Sequence, residues 1–529
     1  MVFMRIIFTV LLCALLSSCQ LTPSDSPKYL TVLHTNDNHG RFWHNEKGEY
    51  GMAARKTLID RLRSEAQQQG HAVLLLSGGD INTGIPESDL QFAEPDFKGM
   101  SLLGYDAMAI GNHEFDNPLA VLDKQQTWAN FPLLSANILH EKDNSHAYQP
   151  YAIVKKSDLT IALIGLTTID TAKIASPEYL GDLVFAEPAE ILPTVVESIK
   201  AQHAVDVVIA VTHMGHYHDA KFGINAPGDV TLARRLAPNT IDMIIGGHSQ
   251  EPVCVDAQGN EDTQFAPGKA CTPDQQNGVW IMQAHEWGKY VGKAQFKIEN
   301  GVKSLLSYEL IPVNLKGSDG EYVNDYIQPD PKLAEFLKPY QTFGEQKLKG
   351  SVGYVDNYLD GKRSTVRFKQ SKLATLIIKA QMESVDADFG LISGGGIRHS
   401  IEAGNVSYKD ILKVHPFKNR ITVMNWKGSE LYDYLNTVAR FPPDSGAYMQ
   451  YHGLSFDFID GKLSNVLINN KPLDKNANYR MSINSYNAAG GDGYPNLTSL
   501  AGFEPTSATD AQVLKEYLKK HSPIRVGLL

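Results

Sequence analysis

Cysteine is scarce, with four in 529 residues. Neither Cys254 nor Cys271 has a second cysteine two residues away, which excludes the paired-thiolate zinc modules. A basic excess is missing too. The chain has 49 Lys and Arg against 59 Asp and Glu, a net charge of −10, so the cationic surface that a nucleic acid polymer requires is not expected. There is no internal repeat and no low-complexity tract, and beyond the first nineteen residues no apolar run is long enough to span a bilayer. No Ser or Cys nucleophile motif stands out. The glycine-rich "NAAGGDGYP" lacks the flanking strand, helix and downstream acid of a dinucleotide-binding turn. What remains is a globular composition, 43% apolar and 20% charged, in a chain too long for one ordinary domain.

From Tyr29 to about Leu310, short apolar runs alternate with helical patterns. The runs are "YLTVLHT", "AVLLLSGGD", "LLGYDAMAI" leading into "GNHEFD", "LTIALIGLTT", "DVVIAVTHMGH" and "IDMIIGGHSQ". Each predicts a strand buried on both faces. "AARKTLIDRLRSEAQQQ" and "EILPTVVESIKAQHA" carry apolar residues at helical spacing. The expected class is therefore α/β, with helices on both faces of the strands and function at the strand ends. "PDPKLAEFLKPYQTFGEQKLKG", residues 329–350, predicts a connecting helix between Pro and Gly. The rest, 351–529, predicts a separate α+β domain with helices at "KLATLIIKAQMES" and "GSELYDYLNTVAR".

Five of the predicted strands end in oxygen and nitrogen donors: Asp37 and His39, Asp80, Asn112 and His113, His213, and His248 with Gln250. Glycines beside them let the backbone turn tightly. Carboxylates, imidazoles and amides without thiolates suit Mg, Mn, Zn or Co ions. One histidine at a strand end is usually structural, but five such ends in one α/β domain point to a metal centre.

The string D-x-H, G-D, G-N-H-E, H and G-H-x resembles the calcineurin-like metallophosphoesterases. "SGGGIR", "PFKN" and "GGDGYP" in the second half are similar to the bacterial 5′-nucleotidase and UDP-sugar hydrolase family. The resemblance spans residues 29–328 as a β-sandwich catalytic domain with flanking helices, and 351–529 as an α+β substrate-specificity domain. It implies two divalent ions. Asp37, His39 and Gln250 would hold one, Asn112, His213 and His248 the other, and Asp80 would bridge them. His113 would face the phosphoryl group with Asp116 fixing its imidazole, while Glu114 and His216 would be structural. Arg363, Arg367 and Arg398 would meet phosphate and hydroxyl groups. Phe417 and Tyr486 (commonly Phe in the family) would stack on the base, with Asn419 at the base edge and Asp492 at the ribose. The implied activity is hydrolysis of nucleoside 5′-phosphates, with ADP and ATP included. UDP-sugar hydrolysis and 2′,3′-cyclic nucleotide phosphodiesterase/3′-nucleotidase activity are the alternatives, and a non-enzymatic nucleotide-binding surface lipoprotein is the rival class. Chloride is a candidate additional cofactor. Oligomeric state and nucleobase preference have no signature in the sequence.

The first nineteen residues combine Arg5, an apolar stretch and a small-residue end, which is a secretory signal. Leu16-Ser17-Ser18-Cys19 resembles the lipobox of bacterial lipoproteins. This implies a signal peptide over 1–18, lipid on Cys19, and a tether over 19–28. The residue after Cys19 is not Asp, which points to an outer-membrane address at the cell envelope. With Cys13 removed and Cys19 lipidated, Cys254 and Cys271 are expected to form one disulfide in an oxidising compartment.

Overall fold

The computed structural model describes residues 26–217, 227–256 and 258–529. The signal peptide and Cys19 lie outside the described residues. Among those described, no helix is long and apolar enough to cross a membrane.

The N-terminal half is a sandwich of two six-stranded sheets. In the first sheet, Lys28–Thr35, Ala72–Ser77, Ala107–Ala109 and Leu133–Leu134 run parallel. Tyr290–Glu299 and Val302–Pro312 close one edge antiparallel. In the second, Leu159–Thr167, Val207–His213, Met243–Ile245 and Val279–Met282 form the parallel centre, with Tyr151–Lys156 and Asp274–Gln276 antiparallel at its edges. Alternation along one strand shows the layering. Val207, Ile209 and Val211 enter the core shared with Leu30, Val32 and Leu74 of the other sheet. Val208 and Ala210 instead join Leu192, Val196 and Ile199 of the helix Pro188–Gln202. A strand with helix on one face and sheet on the other is buried throughout, as Ala72–Ser77 is, and reads as a near-continuous apolar run.

One predicted strand was too long. Leu102 and Leu103 of "LLGYDAMAI" end the helix Glu94–Leu103, which Gly104 terminates at φ 73°, and the strand is only Ala107–Ala109. A left-handed glycine is a helix stop, and here it splits a continuous apolar run.

The helix Pro331–Leu348 begins with Asp330 capping the Leu333 N–H at 2.7 Å. It is more than a connector, because Leu333 and Leu337 are buried in the N-terminal core. A Cβ on its Gly344 would press into Glu87 of the short helix Pro86–Asp89. The helix is thus docked on the N-terminal half.

The C-terminal half is built on a five-stranded sheet in the order Met449–His452, Phe389–Ser393, Asn478–Asn484, Arg420–Lys427, Phe503–Thr509. The helices Lys372–Val385, Tyr408–Val414 and Asp510–His521 contribute to the core on one face. Gly428–Val438 and a three-stranded sheet over 454–472 help cover the other.

Candidate active site

Strand ends of both sheets converge on one buried cluster. Past Thr35, Asp37 and His39 both adopt left-handed backbone, at φ 51° and 49°. That region is unfavourable for residues with a Cβ, and the intervening Asn38 pins it. Its amide donates to Asp96 Oδ1 at 2.6 Å and its oxygen accepts from Arg55 Nη2 at 2.8 Å. Asp80 follows Gly79 with the same strain, φ 56°. A Cβ on Gly111 would collide with the Asp80 carboxylate, so glycine there is a requirement of the close approach.

The rings of His39 and His213 are turned the same way. His213 Nδ1 donates to the Gly78 carbonyl at 2.6 Å, and His39 Nδ1 to that of Thr83 at 2.8 Å. Both Nε2 atoms therefore face the cluster, the orientation that metal-ligating histidines take. His213 Nε2 lies 2.9 Å from Asp80 Oδ2 and 3.1 Å from Asn112 Oδ1. His39 Nε2 lies 2.8 Å from the Gln250 amide, 3.7 Å from Asp37 Oδ1 and 3.8 Å from Asp80 Oδ2. The His248 N–H donates to Asp37 Oδ2 at 3.0 Å, and its ring sits 5.0 Å from that of His213.

Two triads, His39–Asp80–His113 and Asp80–His213–His248, each gather ligand atoms within 4.8 Å of one another, and Asp80 is common to both. The ion pairs recorded for buried Asp37 and Asp80 are all with histidines. Burial drives the pKa of His248 down to about 4, helped by the charge on His213, so its ring is free to ligate. Without a cation in the cluster, His213 is pushed up to about 10: burial opposes this, but Asp80 outweighs it, so its Nε2 proton is one that a divalent ion would displace. The cluster calls for positive charge, and its donors fit two divalent ions.

His113 occupies a different setting. Its Nδ1 is 2.6 Å from Asp116 Oδ2, which also accepts from Thr83 Oγ1. Its Nε2 is 4.0 Å from Asp80 Oδ2. Burial would lower its pKa, but Asp116 and Asp80 prevail and raise it to about 9, so the ring is a cation at neutral pH. The main-chain N–H of His113 donates to Asp80 Oδ1 at 2.9 Å.

Glu114 lies just outside the donors. Its carboxylate accepts N–H bonds from Gly111 at 2.7 Å, Asp80 at 3.2 Å, Ile81 at 2.8 Å and Asn82 at 3.3 Å. One side chain thus ties the turn carrying Asp80 to the turn carrying Asn112. His216 is engaged with Asp274 at 2.9 Å, away from the cluster.

The C-terminal half reaches across to this cluster. The Phe417 ring stacks on the His113 ring with centroids 6.0 Å apart and planes within 8°. The Arg398 guanidinium lies 5.5 Å from the centre of Phe417. Arg367 is lowered to about 10, by burial first and then by the charges of Arg398 and Arg363. These arginines therefore share one field, although Arg363 is largely exposed and lies 3.6 Å from Asp444. Tyr486 and Asp492 are hydrogen-bonded to one another. Asn419, expected at the base edge, is buried, and its main-chain carbonyl accepts from the Asp510 N–H at 2.8 Å.

Several contacts had no sequence signal. Lys409 Nζ meets the buried Glu87 carboxylate at 2.6 Å, and Lys418 Nζ donates to Asn117 at 3.0 Å, both across the two halves. A cavity of about 910 Å³ beside His39 and His113 is also lined by Arg41, Trp287, Arg398 and Lys409. Arg41 lies on the Trp287 ring, 3.8 Å from its centre. Cys254 and Cys271 form the expected disulfide.

Residues 30–252 match the family model of calcineurin-like phosphoesterases. Residues 351–499 match that of the 5′-nucleotidase C-terminal domain. A 5′-nucleotidase of Vibrio vulnificus is 54% identical over 526 residues, covering 97% of this chain and 95% of the relative. The chain belongs to the 5′-nucleotidase family. The protein UshA of Escherichia coli K12 is 51% identical over 95% of this chain and 93% of its own length. A crystal structure of a 5′-nucleotidase precursor from Thermus thermophilus superposes with a TM-score of 0.73 at 28% identity, over 93% of this chain and 96% of that one. The protein is a metal-dependent nucleotide hydrolase with an N-terminal metallophosphoesterase domain and a C-terminal 5′-nucleotidase domain. Metallophosphoesterases use a dinuclear centre, and the histidine and aspartate cluster is where this chain provides one.

Proposed function

We propose that the enzyme converts nucleoside 5′-monophosphates to nucleoside and phosphate and also accepts ADP and ATP. The observation that carries this reading is the stacking of Phe417 on His113, with Arg398 against the same Phe417 ring. An aromatic face and a guanidinium are base- and phosphate-binding groups, and here they meet the donor cluster. The relatives named 5′-nucleotidase agree with it.

In this reading, Asp37, His39 and Gln250 hold one ion, Asn112, His213 and His248 the other, and Asp80 spans both. When bound, two divalent ions neutralise phosphoryl oxygens and make water acidic enough to act as a nucleophile near neutral pH. The side chains do the rest. His113, held cationic by Asp116, donates from Nε2 to a phosphoryl oxygen as charge builds in the transition state. Water oxygen bonds to phosphorus while the phosphorus–O5′ bond breaks, and the nucleoside leaves with a proton. Arg363, Arg367 and Arg398 orient the phosphate and sugar, Phe417 and Tyr486 stack on the base, and Asp492 accepts from the ribose hydroxyls. The catalytic domain is 29–328, the helix 329–350 joins it to the specificity domain 351–529, and the apposition of the halves opens to exchange substrate and product. The signal-like N-terminus and the disulfide favour an exported enzyme anchored by lipid on Cys19.

A second reading, cleavage of nucleoside diphosphate sugars, has one observation in its favour. The cavity beside His39 continues to Arg41 and Trp287, which are not among the proposed nucleoside contacts.

The test is product analysis of AMP, ADP, ATP, UDP-glucose and cyclic AMP (nucleoside and phosphate, UMP and glucose 1-phosphate, or AMP) with chelated enzyme resupplied with Mg, Mn, Zn or Co. AMP turnover that depends on added metal supports the reading; turnover confined to cyclic AMP would overturn it.

A further inference from the structure

The Tyr486 hydroxyl has a set of contacts that stacking on a base does not explain. Tyr486 lies in the short helix Ser485–Ala488, and its ring rests against the Gly491 backbone, where a Cβ would collide with it. The Asp492 N–H donates to Tyr486 Oη at 3.1 Å, and the hydroxyl donates to Asp492 Oδ1, also at 3.1 Å. One phenol therefore grips one residue twice, by main chain and by carboxylate.

Asp492 needs such a grip. Its backbone is left-handed, φ 57° and ψ 16°, within a run of glycines that offers little stiffness of its own. Its carboxylate lies over a surface kept flat by glycine, since a Cβ on Gly395 or on Gly446 would come within 3.3 Å of its oxygens. The glycines on that side allow the approach but cannot steer the carboxylate. The hydroxyl can, because a hydrogen bond to a charged acceptor is directional and stronger than a neutral one. Burial, reinforced by the charge on Asp492, raises the Tyr486 pKa well above its ordinary value, so the group remains a proton donor across the working pH range. The Lys173 carbonyl of the other domain lies 3.4 Å from the same oxygen. The single proton thus has two acceptors on opposite sides of the domain boundary, and the carboxylate is the stronger.

We propose that the Tyr486 hydroxyl is a positioning group that fixes the Asp492 carboxylate for the sugar hydroxyls, so that Tyr486 sets ribose discrimination as well as offering a stacking face. The inference rests on the proposed role of Asp492 at the ribose. It separates the two functions of one side chain, because phenylalanine keeps the ring and loses the hydroxyl.

The experiment compares wild type, Tyr486→Phe and Asp492→Asn on AMP, 2′,3′-dideoxy-AMP and p-nitrophenyl phosphate, with melting temperatures as a folding control. Tyr486→Phe is expected to lower kcat/KM for AMP about 10- to 150-fold, mainly through KM, from the loss of one charge-assisted hydrogen bond. It should change the dideoxy substrate and p-nitrophenyl phosphate by less than about twofold, since neither presents hydroxyls to Asp492. Asp492→Asn should show the same selectivity, and adding Tyr486→Phe to it should cost little more. Equal losses on AMP and dideoxy-AMP, or no loss on either, would overturn the role of the hydroxyl while leaving Asp492 at the ribose. If Asp492→Asn itself fails to discriminate the two nucleotides, the ribose reading falls and this inference falls with it.

Discussion

Glu114→Gln is the most exacting perturbation of the site, because it changes neither a proposed ligand nor a group facing substrate. Glu114 is 2% exposed. Its Oε1 accepts from Ile81 N–H at 2.8 Å, Asn82 N–H at 3.3 Å and the Asn82 amide at 3.2 Å; its Oε2 accepts from Gly111 at 2.7 Å and Asp80 at 3.2 Å. A glutamine of the same shape must point its NH2 at one of these sets. Whichever way the amide turns, at least two N–H donors then face another donor. Hydrogen bonds to a charged group contribute about 1.5–3 kcal/mol each, so two lost bonds amount to about 3–6 kcal/mol. At about 2–4 °C per kcal/mol, the first unfolding transition of chelated enzyme should fall by about 6–24 °C. Either set holds the turn that carries Asp80, and the Gly111 bond holds the turn before Asn112, so metal affinity should weaken as well. The assays are calorimetry of chelated and metal-loaded enzyme and a metal-binding titration. A melting temperature within about 2 °C of wild type together with unchanged metal affinity would refute the claim that Glu114 holds the two turns together.

His113→Ala should keep both ions and lose about 10²- to 10³-fold in turnover; a missing ion by metal analysis would make His113 a ligand, as its place in a donor triad allows. Lys409→Met strands the buried Glu87 carboxylate, and since breaking such a pair costs about 3–5 kcal/mol, small-angle scattering should show the halves less closely apposed; an unchanged profile would contradict this. Asp510 gives the pH prediction. Burial raises its pKa to about 8, while His415, 3.6 Å away, is lowered to about 4 by burial and stays neutral. The folded state thus keeps a proton that the unfolded chain sheds near pH 4, and stability falls between about pH 4 and pH 8. Asp510→Asn should flatten that fall and melt higher than wild type at pH 8; a steeper fall would contradict the assignment.

Much of the catalytic half could be read from the sequence, since apolar runs ending in Gly, Asp, His or Asn are strands with turns at their ends. Asp37, Asp80, Asn112, His213 and His248 come together for that reason. What was not legible depends on tertiary contact. Leu102 and Leu103 are as apolar as a strand, and only the left-handed Gly104 assigns them to a helix. Residues 329–350 carry helical periodicity, but their docking through Leu333 and Leu337 is settled by a partner surface distant in sequence. Asn419 stands two residues from Phe417, yet its main chain is bonded to Asp510 while the Phe417 ring lies on His113. The left-handed Lys418 between them turns the chain, at φ 58°. The Lys409–Glu87 pair joins residues whose charges look like solvated surface in the sequence.

The central claim, hydrolysis of nucleoside 5′-phosphates at a two-ion centre bridged by Asp80, is tested most directly by titrating metal into chelated enzyme while following phosphate release from AMP, for wild type and Asp80→Ala side by side. Wild-type activity should be absent after chelation and return in full at two ions per chain, while Asp80→Ala should stay below about a tenth of it at any metal level. Full activity in chelated enzyme, saturation at one ion, or an Asp80→Ala enzyme that binds two ions and keeps its turnover would contradict it.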